Sequence, residues 1–359
     1  MLSDKAISAE KLLEGIRSLD VGQVNLMEVC GTHTMAIAKS GIRSLLPENV
    51  KLLSGPGCPV CVTPSAVIDG ILDLAMDPNV MITTYGDMVR VPGSTPGDSL
   101  ARRRAMGARV EIVYSPIDAI EIAHDNPSKE VVFLGVGFET TAPGTAACAL
   151  TAMERGVKNF TVWSMLKTVE PALRALIAMD GFNVQGFLCP GHVATVIGAR
   201  GFEFLPKEYK IPAVISGFEA EDILLSIYLL LRQIKRGVST VENEYRRAVA
   251  ENGNGLARAM MERCFEPRFD LWRGLGGIEG SGLGFREEFS ALDAERRFGI
   301  EPKSVEKVTA CRCGEVITGR KRPEDCPLFG KRCTPEDPVG PCMVSSEGAC
   351  AASYKYQLI

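Results

Sequence analysis

The sequence predicts an α/β fold: two related lobes of parallel sheet covered by helices and facing a central cleft, followed by a cysteine-rich C-terminal domain. Three observations carry that prediction. β-rich apolar runs alternate with helix-compatible segments through the first 236 residues, a rhythm that parallel sheets need because each crossover is a helix. Two stretches echo each other, since Val80, Gly86 and Pro92 align with Val131, Gly137 and Pro143 at a constant offset of 51 residues. The last fifty residues change character, with six cysteines set among Pro and Gly and few apolar runs.

Composition bounds the class. With 359 residues, 46% hydrophobic and 23% charged, the chain is long enough for two or three domains and a sizeable core. A net charge of −4 gives no reason to expect nucleic acid or an anionic membrane as partner. No apolar run approaches the ~20 residues of a membrane span. The start MLSDKAISAEKLL lacks the basic-then-apolar layout of a signal peptide. The expected location is cytoplasmic, where twelve cysteines point to metal, cluster or catalytic thiols before disulfides.

In chain order, Ile7, Leu12, Leu13, Ile16 and Leu19 space an amphipathic helix within residues 1–20. Strands are expected at 23–29, 50–53, 80–84, 109–113, 131–136, 160–163, 184–188 and 213–215. Thr63 as N-cap with Pro64 after it starts a helix over 66–76. The echo continues downstream: Gly107 and Glu111-Ile-Val-Tyr-Ser115 match Gly156 and Phe160-Thr-Val-Trp-Ser164. Fainter echoes tie Cys30-Gly-Thr-His33 to Cys189-Pro-Gly-His192, and Leu53-Ser-Gly55 to Ile215-Ser-Gly217. Together they suggest lobe I at 21–127 and lobe II at 128–236, with the echoed units in reversed order. An apolar stripe makes a helix of 219–236, two further helical stretches run to about 263, and 237–359 completes the chain with the cysteine-rich domain. The glycine-rich run 274–284 lacks a following GK[ST] and a leading strand, so it is expected to be a loop rather than a phosphate cradle.

Chemistry concentrates between residues 26 and 64. Cys30 and His33 fall at a strand-to-helix junction. Cys58-Pro-Val-Cys61 sits in a Gly/Pro turn before a helix, a setting that lowers a thiolate pKa and suits redox or metal chemistry. The structural alternative is a pair of small buried residues in a turn. Glu139, in the loop Gly137-Phe-Glu-Thr-Thr141, either handles protons in the cleft or caps the helix beginning near Pro143. His192 is read as a cleft residue and His124 as an exposed one, while Cys148 and Cys264 read as core packing. At the C-terminus Cys326, Cys333, Cys342 and Cys350 are separated by six, eight and seven residues, with no histidine among them. That spacing favours a [4Fe–4S] cluster, with zinc as the rival that usually uses paired CxxC knuckles. Cys311-Arg-Cys313 beside it suggests electron exchange between cluster and thiols.

The motifs Cys30-Gly-Thr-His-Thr34, Gly55-Pro-Gly-Cys-Pro-Val-Cys61, Gly137-Phe-Glu-Thr-Thr-Ala-Pro143, Pro190-Gly-His-Val193, Cys311-Arg-Cys-Gly314 and the last four cysteines together resemble the HypD family of hydrogenase maturation proteins, over nearly the whole chain. The resemblance implies an assembly scaffold with thiol and [4Fe–4S] redox activity rather than a conventional turnover enzyme. On that basis iron is held with a HypC-type small chaperone while cyanide and carbon monoxide are added, cyanide coming from a HypE-type donor. The transient Fe(CN)2CO unit is destined for the large subunit of a [NiFe]-hydrogenase. Carried over by residue, Cys30 would bind that iron with His33 beside it, Cys58 and Cys61 would be the redox pair, and Cys326, Cys333, Cys342 and Cys350 would hold the cluster, with Cys311 and Cys313 as relay. Met35 and Ala194 replace a histidine and a serine of some members, so roles at those positions do not transfer. The alternative function is a cluster-linked thiol–disulfide reductase acting on a protein substrate.

Overall fold

The computed structural model describes residues 8–301 and 310–357; Ile7, the first apolar position of the expected N-terminal helix, lies outside them. Eleven strands are described: β1 (Val24–Glu28), β2 (Val50–Ser54), β3 (Val80–Thr84), β4 (Arg109–Ile112), β5 (Glu130–Gly137), β6 (Phe160–Leu166), β7 (Gly186–Pro190), β8 (Ala213–Ser216), β9 (Val241–Asn243), β10 (Phe265–Trp272) and β11 (Gly276–Phe285). The first nine form two parallel sheets, in the orders β2-β1-β7-β8-β9 and β4-β3-β5-β6, and the last two form an antiparallel hairpin.

Alternation along the strands builds the core. In the five-stranded sheet Leu26, Leu188 and Val214 point to one face, against the helices Ala9–Ser18 and Ala220–Arg236 that carry Leu12, Ile16, Ile223 and Leu230. Met27, Phe187 and Ile215 point to the other face and join Val132, Leu134 and Val136 of β5 in one cluster. Each sheet therefore gives one face to a shared core. The outer face of the four-stranded sheet, with Val131 and Phe133, packs on the alanine side of the helix Ala142–Arg155, and Cys148 and Cys264 belong to that core as expected.

The expected division at 127/128 falls between β4 and β5, inside the four-stranded sheet. The five-stranded sheet begins with β1 and β2, is interrupted by the whole four-stranded sheet, and resumes with β7. A parallel sheet selects neighbours by crossover geometry and two-sided burial rather than by closeness in sequence. The echoed segments fall on neighbouring strands. β3 and β5, which carry the echo, are paired neighbours with β4 and β6 outside them; β1 and β7 are likewise neighbours, with β2 and β8 outside them. In each sheet the two copies thus lie side by side, meeting at the β3–β5 and β1–β7 pairs.

Two further expectations change. Residues 241–243, expected to be helical, form edge strand β9, where Glu242 receives Arg232 at 2.7 Å and Gln233 Nε2 at 2.9 Å. The glycine-rich run is β11 rather than a loop. Its glycines make room across the hairpin, since a Cβ on Gly277 would lie 2.3 Å from the Phe269 ring and one on Gly282 would lie 2.8 Å from Asp270 Cβ. The hairpin is fastened to β6 by Ser164 Oγ donating to Leu283 O at 2.5 Å, and by buried Lys167, whose Nζ reaches Asp270 Oδ2 at 2.6 Å and Leu271 O at 2.7 Å. Among the described residues no helix is long and apolar enough to cross a membrane.

Candidate functional site

β1, β2, β7 and β8 run parallel, so Cys30, the turn 55–58, Gly191-His192 and Gly217-Phe218 leave the sheet at one edge. Cys30 is the N-cap of the helix Gly31–Lys39, in extended conformation and 7% exposed. Two glycines let neighbouring chain close on it. A Cβ on Gly57 would come within 2.2 Å of Cys30 N, and one on Gly31 within 2.4 Å of Glu347 Cβ. Glu28 lies buried beneath, accepting from Thr34 Oγ1 at 2.6 Å and from Cys30 N at 3.2 Å, and burial lifts its carboxyl to about 7. Burial also pushes the Cys30 thiol up to about 12, with the Glu347 and Glu28 carboxyls adding to the effect. Without a bound cation this sulfur holds its proton at neutral pH, and a soft metal ion would take the proton's place.

His33 is fully buried. Its Nε2 lies 2.9 Å from Gly217 O and 3.3 Å from Ser216 O. A carbonyl accepts only a proton-bearing nitrogen, so Nε2 carries the hydrogen and Nδ1 presents a bare lone pair, with no hydrogen-bond partner among the described residues. Burial lowers the imidazole to about 4, which keeps it neutral. Its ring stacks on Phe218 at 4.7 Å, and the same Phe218 stacks on exposed His192 at 3.9 Å. His33 and His192 are thus brought together through an aromatic residue that the sequence did not single out.

Cys58 and Cys61 form a disulfide with Cα atoms 5.2 Å apart. The turn between them is a helix of its own, Pro59–Val62, capped by Cys58 Sγ, which accepts from Cys61 N at 3.1 Å. The following helix is Ser65–Leu74 with Pro64 as N-cap, one residue later than expected from Thr63. Arg273, from the β10–β11 turn, pins this segment by donating N–H to Val62 O at 2.8 Å and its guanidinium to Thr63 O at 2.9 Å.

The C-terminal segment enters the same place. The helix Pro341–Val344 packs on Pro59–Val62, and the helix Ala349–Gln357 packs on Gly31–Lys39. Between those two C-terminal helices, the turn Ser345-Ser-Glu-Gly348 reaches three partners. Glu347 receives Thr32 Oγ1 at 2.7 Å, Ser345 Oγ lies 3.4 Å from Cys58 Sγ, and Asp87 receives Ser345 Oγ at 3.1 Å and Ser346 N at 3.0 Å. Glu347, Ser345 and Asp87 were missed from sequence; the polar run Ser-Ser-Glu between two cluster-type cysteines was the available signal.

Cys311, Cys313, Cys326, Cys333 and Cys350 line one cavity together with Val316, Leu328, Phe329 and Met343. Cys342 joins them, its thiol brought down by the neighbouring thiols of Cys313 and then Cys350. Gly340 is required here, since a Cβ would fall 2.2 Å from Cys311 Sγ and 2.8 Å from Cys313 Sγ. Among the described residues no three His, Cys, Asp or Glu side chains converge as around a single metal ion. A sulfur-only donor set around a small, mainly apolar cavity fits an iron–sulfur cluster.

Glu139 is buried, with Oε1 accepting from Val169 N at 2.9 Å and Oε2 without a hydrogen-bond partner among the described residues, and burial lifts it to about 7. It therefore serves the start of the helix Val169–Ile177, not the one near Pro143. Its hydrogen bond joins the loops that follow β5 and β6 of the four-stranded sheet. His124 is exposed as expected, beside Asp125.

A family model described as HypD, "Hydrogenase formation hypA family", matches residues 7–357. The hydrogenase expression/formation protein HupD of Azotobacter chroococcum mcd 1 is 47% identical over 93% of this chain and 89% of its own. Two proteins named hydrogenase maturation factor HypD are similar as well. That of Rhodobacter capsulatus is 44% identical over 98% of this chain and 95% of its own, and that of Escherichia coli (strain K12) is 45% identical over 93% and 89%.

Proposed function

From the premise that this chain belongs to the HypD hydrogenase-formation family, we propose that it acts in hydrogenase maturation as a scaffold on which the Fe(CN)2CO unit of a [NiFe]-hydrogenase is assembled. Iron is the cargo, and Cys30 is its thiolate ligand, held jointly with a HypC-type chaperone while a HypE-type protein supplies cyanide. Low-spin iron carrying cyanide and carbon monoxide is a soft centre, for which sulfur is a better ligand than carboxylate. The work is placed in the cytoplasm, on the way to the hydrogenase large subunit. Cys326, Cys333, Cys342 and Cys350 would hold a [4Fe–4S] cluster, which supplies electrons when bound.

The observation that carries this reading is the convergence of the buried Cys30 junction, the Cys58–Cys61 pair and the C-terminal cysteine segment, through two helix pairs and the turn 345–348. Each group has its own part. Cys30 binds, neutral His33 offers Nδ1 beside it, Glu28 orders the Cys30 backbone, and the dithiol exchanges two electrons. A cluster-linked thiol–disulfide reductase would use the same disulfide without iron cargo.

The infrared spectrum of the anaerobically isolated protein with its small partner separates the two. Cyanide and carbon monoxide bands are expected for wild type and lost for Cys30→Ala, whose visible iron–sulfur absorption persists. Bands retained by Cys30→Ala would overturn the ligand assignment; no bands in wild type, with turnover of a protein disulfide, would select the reductase.

A further inference from the structure

Ser345 stands between the Cys58 sulfur and a carboxylate near the surface. Its hydroxyl lies 3.4 Å from Cys58 Sγ and donates to Asp87 Oδ2 at 3.1 Å. Both ends are fixed. Asp87 also receives Ser346 N at 3.0 Å and Ser346 Oγ at 3.1 Å, and Ser345 Oγ itself receives Glu347 N at 3.2 Å. Cys58 is only 5% exposed, whereas Asp87 is half-buried between exposed Gly86 and Arg90 in the turn after β3. A proton that leaves or reaches the Cys58 sulfur therefore needs a protein group to carry it.

We propose that Ser345 and Asp87 form the proton path that serves Cys58 whenever the Cys58–Cys61 pair changes between disulfide and dithiol. This rests on the reading of that pair as redox-active. In the oxidising direction the Cys58 thiol donates to Ser345 Oγ while the Ser345 hydroxyl donates to Asp87. As Cys58 attacks a disulfide, its proton passes to Ser345 and the Ser345 proton to Asp87. The attacked S–S bond breaks, one of its sulfurs bonds to Cys58, and the other leaves as a thiolate, which takes up the proton that Asp87 gives back to solvent. Cys61 then attacks Cys58 Sγ, closing the intramolecular bond and expelling the second thiolate, which takes the Cys61 proton. The protein loses two electrons and two protons, and the attacked disulfide becomes two thiols. Reduction runs the same path backwards, with the proton delivered to Cys58.

The test uses the full-length protein with its cluster, reduced under anaerobic conditions and then mixed with hydroxyethyl disulfide. Samples are acid-quenched and alkylated, and the disulfide-linked Cys58–Cys61 peptide is followed by mass spectrometry in H2O and D2O. Wild type is expected to close the bond more slowly in D2O. Ser345→Ala slows closure about a hundredfold, the low end for one acid–base group, and loses the solvent isotope effect. Ser345→Thr keeps most of the rate, and Asp87→Asn slows closure while leaving the cluster absorption intact. Ser346→Ala, which removes the Ser346 Oγ contact to Asp87 but none to Cys58, stays within about twofold of wild type, as expected when the acid–base pair is spared. A wild-type rate in Ser345→Ala, or an equal loss in Ser346→Ala, would overturn the proton path. Failure of wild type itself to close the bond would overturn the redox reading beneath it.

Discussion

Two sets of cysteines meet in this molecule, and they are positioned by different means. Cys30 and Cys58 leave the adjacent, register-locked strands β1 and β2, whose buried residues Leu26 and Met27 belong to cores on opposite faces. Their positions are inherited from a sheet. The six C-terminal cysteines sit on 3-10 turns, four-residue helices and loops, and only Cys350 lies within a longer helix. Cys313, Cys333, Cys342 and Cys350 are buried in the same cluster as Cys58, Cys61 and the inner faces of the two sheets, so this segment borrows its core from them. A sheet can present a ligand site that stands without its metal, whereas a segment with so little apolar core of its own needs a staple.

The strongest way to break this contrast is Cys342→Ala. Removing a fully buried sulfur at the centre of the set is expected to abolish the visible iron–sulfur absorption. Amide hydrogen exchange should rise across 311–357, while protection of β1, β5 and β7 stays at the wild-type level. Equal loss of protection in the sheets would show that the two regions are not separately held. The converse change is Phe133→Ala in β5, at a fully buried ring. It should cost about 3–5 kcal/mol in urea unfolding and lower the midpoint for the whole chain, with absorption retained until that transition.

A smaller effect comes from pH. Glu139 is raised by burial from 4.5 to about 7. Below about 4.5 folded and unfolded chains both hold its proton; as pH climbs towards 7 the unfolded chain ionises first, so stability falls, and above 7 the loss is complete. The ceiling on this loss is about 3 kcal/mol. Glu139→Gln should flatten that part of the profile, measured as unfolding free energy at intervals from pH 4.5 to 7.5. A profile parallel to wild type would mean that Glu139 already ionises normally in the folded chain.

Much of this was legible in the sequence, because strands buried on both faces announce themselves as short apolar runs between Gly and Pro. Eight strands of the two parallel sheets fall on the expected segments, and β9 does not. The partition into sheets was not legible, since nothing local in Leu26 names Gly186 as its partner across the interrupting sheet. The hairpin was hidden by its glycines, whose reason is the bulk of Phe269 and Asp270 on the opposite strand. In the site, cysteines and histidines could be found by type and spacing. Phe218 and Asp87 could not, because an aromatic spacer or a loop carboxylate becomes functional only through what the fold sets beside it.

The interruption of one sheet by another bears on how this chain can be cut. β3 to β6 are contiguous, yet the hairpin that fastens to β6 through Ser164 and Lys167 is supplied from beyond residue 264. A fragment ending at 127 would own two strands of each sheet and complete neither. Splitting the gene at that point would yield two pieces able to work only by finding each other, so the protein is best dissected by point substitution and not by truncation.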